Sequence, residues 1–157
     1  MIFYIDKNIL FNYANNKLFN EREFKYDIDL VELIKTGEIN IIIHEATIFS
    51  LINYLSFKLE RPLYKHGKNL SPEVADKTSR EFCFNIFKKA NWQVISLDKK
   101  EITSALKDMD FNYEDSVQYY SFIKSKAEYF ITWNKKDFIK VGKKLLNPKD
   151  FFNLKGK

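Results

Sequence analysis

The side chains best suited to chemistry are oxygen donors placed where apolar runs end. Asp6 closes the apolar run at 2–5, and Asn8 stands two residues on. Thr132 ends "YFIT", Asn134 and Asp137 follow it, and Asp115 opens the helical stretch just before that run. In an open parallel sheet, sites form at the carboxyl ends of strands. Each group also suits a local duty. Asp6 can cap a following helix, and Asn112/Asp115 and Asn134/Asp137 both have the N-cap and N3 spacing of a capping box. If the fold gathers them instead, carboxylates about 5 Å apart repel by a few kcal/mol at an effective dielectric near 20. Such a cluster requires a cation or raised pKa values. Oxygen donors without a convergent His or Cys set select Mg²⁺ or Mn²⁺ over zinc. A hard ion held by a few carboxylates serves phosphodiester hydrolysis. Capping and metal binding both remain open from the residues alone.

The elements that would have to position these groups alternate along the chain. Short apolar runs at 2–5, 39–43, 92–96 and 129–132, with 144–146 as a fifth, read as strands. "INIII" is the compact β-branched run of a strand buried on both faces of a parallel sheet. Helices are expected at 7–17, at 27–38 with Gly37 as the stop, at 72–90, at 98–109, at 112–127 and in "NPKDFFNL". Another carries Ile48, Leu51, Ile52, Leu55 and Leu59 on one face. Ser71 is its neighbour's N-cap, with Pro72 at the first helical position. The alternation, with no hairpin signature, predicts a parallel sheet with helices on both faces.

Composition narrows the class. The 157 residues suit a single domain over 1–157, 45% hydrophobic and 30% charged, with only 4 Gly and 3 Pro. No apolar stretch reaches the roughly 20 residues of a membrane helix, and Asp6 and Lys7 interrupt any signal-type apolar core. One cysteine, Cys83, excludes an internal disulfide; it reads as a small buried hydrophobe and fits a reducing cytoplasm. The net charge of +5 permits an anionic partner. Lys135, Lys136, Lys140, Lys143 and Lys144 follow the last long strand, where they could hold a phosphate backbone. Lys58, Arg61, Lys65, His66 and Lys68 form a second basic group, read mainly as a solvated face. Tyr119, Tyr120 and Phe122 read as packing, and His44 as a hydrogen-bonded structural residue. Trp92 and Trp133 read as core or interface residues.

"FYIDKNILFNY" resembles the opening of PIN domains, a hydrophobic strand followed by D-T-N-hydrophobic-L. "NYEDSVQYYSFIKSKAEYFITWNKKDF" (112–138) is similar to their later block, an acid-rich D/E-D-A/S-hydrophobic-Q stretch, a helix, then Y-hydrophobic-hydrophobic-T-x-N/D-x-x-D-F. Order and spacing agree over nearly the whole chain, and the size most resembles the VapC-like toxin halves of toxin–antitoxin pairs. The resemblance implies a PIN-like three-layer α/β sandwich with a short parallel sheet of four to five strands. It implies a cytoplasmic Mg²⁺-dependent (or Mn²⁺-dependent) endoribonuclease, held inactive by a small antitoxin and commonly a homodimer. It makes Asp6 and Asp115 the metal-binding acids, with Asn134 at the position after the last strand and Asp137 assisting. Asn8 and Thr132 then support the site by hydrogen bonding, and Lys135 or Lys136 grips RNA phosphate.

Two positions depart from the family pattern. In "ATIFSLINYL", aligning Thr47 puts Ser50 where PIN domains carry a Glu; Glu45 lies one turn earlier and Asn53 one turn later. Lys7 replaces the usual Thr, and its ammonium could offset repulsion that a metal would otherwise offset. These changes imply weakened binding of one ion rather than two. They also give an alternative of another class, a catalytically weakened module that binds RNA or a protein partner. An acid-phosphatase-like enzyme with Asp6 as nucleophile fits poorly, because that chemistry wants an Asp at position 8, which is Asn.

Overall fold

The computed structural model describes residues 1–21, 24–61, 68–89 and 91–156. Five parallel strands form one sheet in the order β3-β2-β1-β4-β5: β1 (Ile2–Ile5), β2 (Asn40–His44), β3 (Trp92–Ile95), β4 (Tyr129–Ile131) and β5 (Leu145–Leu146). The helices are α1 (Lys7–Phe19), α2 (Lys25–Lys35), α3 (Glu45–Glu60), α4 (Pro72–Phe87), α5 (Lys99–Lys107), α6 (Tyr113–Ser125) and α7 (Pro148–Lys155), with a 3₁₀ segment at Ile139–Lys144.

Side chains that alternate along the strands build two cores. Phe3, Ile5, Ile41, Ile43 and Ile131 face one side and pack with residues of α1, α2, α3, α4 and α7. Tyr4, Ile42 and Phe130 face the other and pack with Phe122 of α6 and Phe138. This period-two division is why "INIII" is apolar throughout: both faces of β2 are covered. The result is the expected three-layer α/β arrangement.

β1 lies at the centre, and the chain leaves it first towards β2 on one side and later returns as β4 on the other. The gap between the ends of β1 and β4 is therefore the topological switch point, where open α/β sheets place their sites. Phe3 pairs with Tyr129 and Ile5 with Ile131. That register brings Asp6 and Thr132 out at the same level.

Several boundaries differ from the sequence reading. α4 stops at Phe87 and α5 at Lys107, short of the expected 90 and 109; Ala90 lies outside the described residues. β3 is an edge strand with Gln93 and Val94 exposed. Asn134 and Asp137 fall in a turn and not in a capped helix, with the Asp137 N–H donating to the Asn134 carbonyl at 3.0 Å. Full capping boxes form instead at Asp98/Glu101 and Asn147/Asp150. Gly37 ends α2 as expected, with φ of 78° that favours glycine.

Candidate active site

Asp6 does both things the sequence left open. It is the N-cap of α1, its Oδ1 accepting from the Asn8 N–H at 3.4 Å. Its carboxylate is also only 2% exposed at the switch point. Oδ2 accepts from the Asn8 side-chain amide at 3.3 Å and from the Thr132 hydroxyl at 2.7 Å. Thr132 in turn accepts from the Asn134 N–H at 3.0 Å. One buried hydroxyl therefore links the exit of β1 to the exit of β4. Burial pushes the Asp6 carboxyl up from its ordinary range; the Thr132 and Asn8 hydrogen bonds and the Lys7 charge oppose this, and the Asp115 charge adds to it.

Asp115 approaches from α6. Asn112 caps that helix, accepting from the Asp115 N–H at 3.0 Å, so the expected cap is real and holds Asp115 in the first turn. Asp115 is half-buried. Burial raises its carboxyl; Asn112 and Lys7 pull it back down, while the Asp137 and Glu114 charges push it further up. Asp6, Asp115 and Asp137 thus feel one another in sequence, as carboxylates gathered at one cleft do. Asn134 and Asp137 are exposed and share a hollow of about 320 Å³ with Trp133, Lys135 and Lys136.

The base of the site is polar and fully bonded. The Tyr4 hydroxyl donates to Gln118 Oε1 at 2.7 Å, and Gln118 donates to the Thr47 hydroxyl at 3.5 Å. This ties β1, α6 and α3 together beneath the cleft. Ser50 is half-buried and lines a cavity of about 230 Å³ with Lys7, Ala46, Tyr113, Glu114, Val117 and Gln118. Position 50 therefore lies beside Lys7 and Glu114, the chain neighbours of Asp6 and Asp115. Glu45 is exposed and lines a neighbouring hollow with His44, Leu97 and Ile102, and Asn53 is exposed.

Asp27, which the sequence reading passed over, is fully buried. It accepts from the Asn12 amide and the Trp133 indole N–H, both at 2.7 Å. It therefore holds the residue immediately before Asn134. Burial pushes its carboxyl up to about 6 against those two hydrogen bonds, with the Asp6 charge adding to the rise.

The basic groups divide. Lys135 pairs with Asp150, and Lys140 bridges Asp108 and Asp110. Lys136, Lys143 and Lys144 are exposed, and no partner is found for them among the described residues. Lys58 corrects the sequence reading. It is buried, not part of a solvated face, donating to Asn15 at 3.0 Å, paired with Glu21 and lying over the Phe19 ring. Lys58→Met should lower stability by about 1–3 kcal/mol in urea unfolding, since it leaves a partly exposed Glu21 without its donor and Asn15 Oδ1 with the Tyr54 hydroxyl alone. Arg61 stacks on Phe57; Lys65 and His66 lie outside the described residues. Of the aromatics, Phe122 is buried, Tyr120 bonds Asp108, and Trp92 donates to the Ile86 carbonyl, so all three pack as expected. His44 caps α3, its Nδ1 accepting from the Ala46 N–H at 3.0 Å.

Asp6 and Asp115 are the acids that would hold a hard divalent ion here. Asp6 and Asp115 offer carboxylate oxygens, and Mg²⁺ is commonly bound by one or two carboxylates with the rest of its shell water. No group of three or more His, Cys, Asp or Glu side chains placed to hold a metal occurs among the described residues. Ser50→Glu should therefore tighten Mg²⁺ or Mn²⁺ binding at least about tenfold by calorimetry, one added carboxylate ligand contributing more than 1.4 kcal/mol. Equal affinities would count against position 50 as a ligand position.

No protein-family model and no curated protein matches the sequence. Solved structures do match. A chain of the VapBC2 complex from Rickettsia felis, solved bound to a DNA fragment from its promoter, aligns over 94% of this chain and 97% of its own. The two are 17% identical with a TM-score of 0.55. A chain of a toxin–antitoxin complex from Klebsiella pneumoniae aligns over 92% of this chain and 96% of its own, at 14% identity and a TM-score of 0.56. Identities this low establish the fold alone: this chain shares the α/β fold of those two chains of toxin–antitoxin complexes.

Proposed function

We propose that this chain is a metal-dependent endoribonuclease of toxin type, acting in the cytoplasm and restrained by a small antitoxin. The observation that supports it best is Asp6: a carboxylate withdrawn from water at the switch point, joined through Thr132 to the exit of β4 and electrostatically coupled to Asp115. Asp6 and Asp115 hold Mg²⁺ or Mn²⁺. When bound, the ion polarises the scissile phosphate and activates the attacking water. Asn8 and Thr132 fix the Asp6 carboxylate, and Ser50 lines the adjoining hollow. Asn134 and Asp137 border the cleft on the β4 side, where Asp137 can orient water or substrate. Lys136 is free to meet backbone phosphate, whereas Lys135 must first leave Asp150. The likeness to chains of toxin–antitoxin complexes supports an antitoxin partner, and self-pairing is inferred from the PIN resemblance of the sequence alone. No described helix is long and apolar enough to cross a membrane.

The test is cleavage of single-stranded RNA by purified protein. Activity is expected with Mg²⁺ or Mn²⁺ and lost with chelator. The second reading, a module that binds RNA or a protein without cutting, has its support in Ser50 and in the Lys7–Glu114 ion pair beside it. RNA retained on the protein but uncut under every divalent ion would favour it.

A further inference from the structure

Lys7 stands directly after Asp6, where the resembling domains carry threonine. It pairs with Glu114 across the hollow that Ser50 lines. The pair is lopsided: the Lys7 side chain is 16% exposed and that of Glu114 is 68% exposed. An ordinary surface pair has both ends in water and contributes little. Here the cationic end is drawn inward, from the residue next to Asp6 to the residue next to Asp115. The Lys7 charge favours the ionised forms of both Asp6 and Asp115, and Glu114 adds a third negative charge beside Asp115. One ammonium thus sits among three carboxylates delivered by the end of β1 and the first turn of α6.

We propose that Lys7 is the resident counter-cation of this cleft, tethered by Glu114, and that it sets how weakly a divalent ion binds there. The inference rests on the metal-dependent reading above. In the metal-free chain, Lys7 supplies a positive charge beside Asp6 and the Glu114–Asp115 turn. An arriving divalent ion meets a pocket already partly neutralised and has to share its acids with, or displace, a covalently attached cation. Serine at position 50 then follows from the same logic, since a cleft with a built-in cation requires one acid fewer.

Manganese calorimetry and thermal unfolding in chelator, on wild type, Lys7→Thr, Lys7→Met, Lys7→Arg and Glu114→Gln, test this. Lys7→Thr and Lys7→Met should bind Mn²⁺ about tenfold tighter or more, because they remove a unit of positive charge at the residue that adjoins Asp6. Both should melt several degrees below wild type in chelator and regain that loss when Mn²⁺ is added. Lys7→Arg should match wild type in affinity. Glu114→Gln should melt close to wild type, its carboxylate being exposed. Equal Mn²⁺ affinity in wild type and both neutral variants, including no detectable binding in any of them, overturns the proposal. So does a Lys7→Met melting loss no larger than that of Glu114→Gln and not repaired by Mn²⁺. Adding Asp6→Asn to Lys7→Thr should abolish the gained affinity; gain that survives places the ion elsewhere and also overturns it. The nuclease reading fails separately, through absence of RNA cleavage, which leaves these affinities untouched.

Discussion

Asp6→Asn is expected to lower RNA cleavage in Mg²⁺ or Mn²⁺ by about 10³-fold or more, a loss of roughly 4 kcal/mol of transition-state stabilisation. Asp115→Asn should do the same. The reason is that a neutral amide cannot replace a carboxylate ligand of a hard cation, and each of the two acids holds the ion without a third to compensate. Thr132→Val should cost less, about 10–100-fold, because Thr132 orients Asp6 without offering a charge of its own. Asp6 is also the cap of α1, and a purely capping Asp6 gives a different pattern. Its loss would then cost about 1 kcal/mol of stability and leave cleavage per folded molecule intact. Rates normalised to the folded fraction, from circular dichroism on the same samples, separate the two. The graded order Asp6 and Asp115, then Thr132, is the signature of a metal site supported by a hydroxyl.

The second large effect is on stability and falls on Asp27. Its carboxyl is pushed up to about 6 in the folded chain from an ordinary 3.8, so the folded state holds this proton more tightly than the unfolded state does. Between these two values, stability should fall as pH rises, then level off above about 6. The two-unit separation corresponds to about 3 kcal/mol. Asp6 and Asp115 are shifted in the same direction and steepen the same limb. Asp27→Asn should flatten the slope of urea-unfolding free energy between pH 4 and 6. Asp27→Ala should cost about 2–5 kcal/mol at neutral pH, since it leaves the buried Trp133 indole N–H and the Asn12 amide without acceptors. Because Trp133 adjoins Asn134, the same variant should also loosen the β4 exit and reduce cleavage. An unchanged pH slope in Asp27→Asn would mean that this carboxylate is not withdrawn from water as described.

Much of this architecture was legible in the sequence because the strands are short, apolar and separated by helices of clear period. Asp6, Thr132, Asn134 and Asp137 could be placed at strand ends without knowing the sheet order. The sequence could not say that β1 and β4 are neighbours, and on that adjacency the Asp6–Thr132–Asn134 link depends. β3 could be read as a strand because Trp, Val and Ile favour strands, but its edge position is decided by pairing and not by composition. Asp27 was missed although a signal existed: it lies on the same helical stripe as Leu30, Val31 and Ile34, three, four and seven residues on. An acid on an apolar stripe is a buried acid, but next to Asp29 at a helix start it reads as a dipole-facing residue. Glu114 carried no signal, since its importance comes only from where the Lys7 ammonium lands. Lys58 likewise reads as a surface lysine until Asn15, Glu21 and Tyr54 are seen around it. The 3₁₀ segment at Ile139–Lys144 has too little periodicity to be read at all.

A crystal structure of the protein grown in excess Mn²⁺, with anomalous data collected at the manganese edge, tests the central claim most directly. The expected result is a single anomalous peak within coordination distance of both the Asp6 and Asp115 carboxylates, at partial occupancy in wild type and higher occupancy in Ser50→Glu. A well-ordered Asp6–Thr132 pair with no peak between the two acids at saturating Mn²⁺ would contradict it.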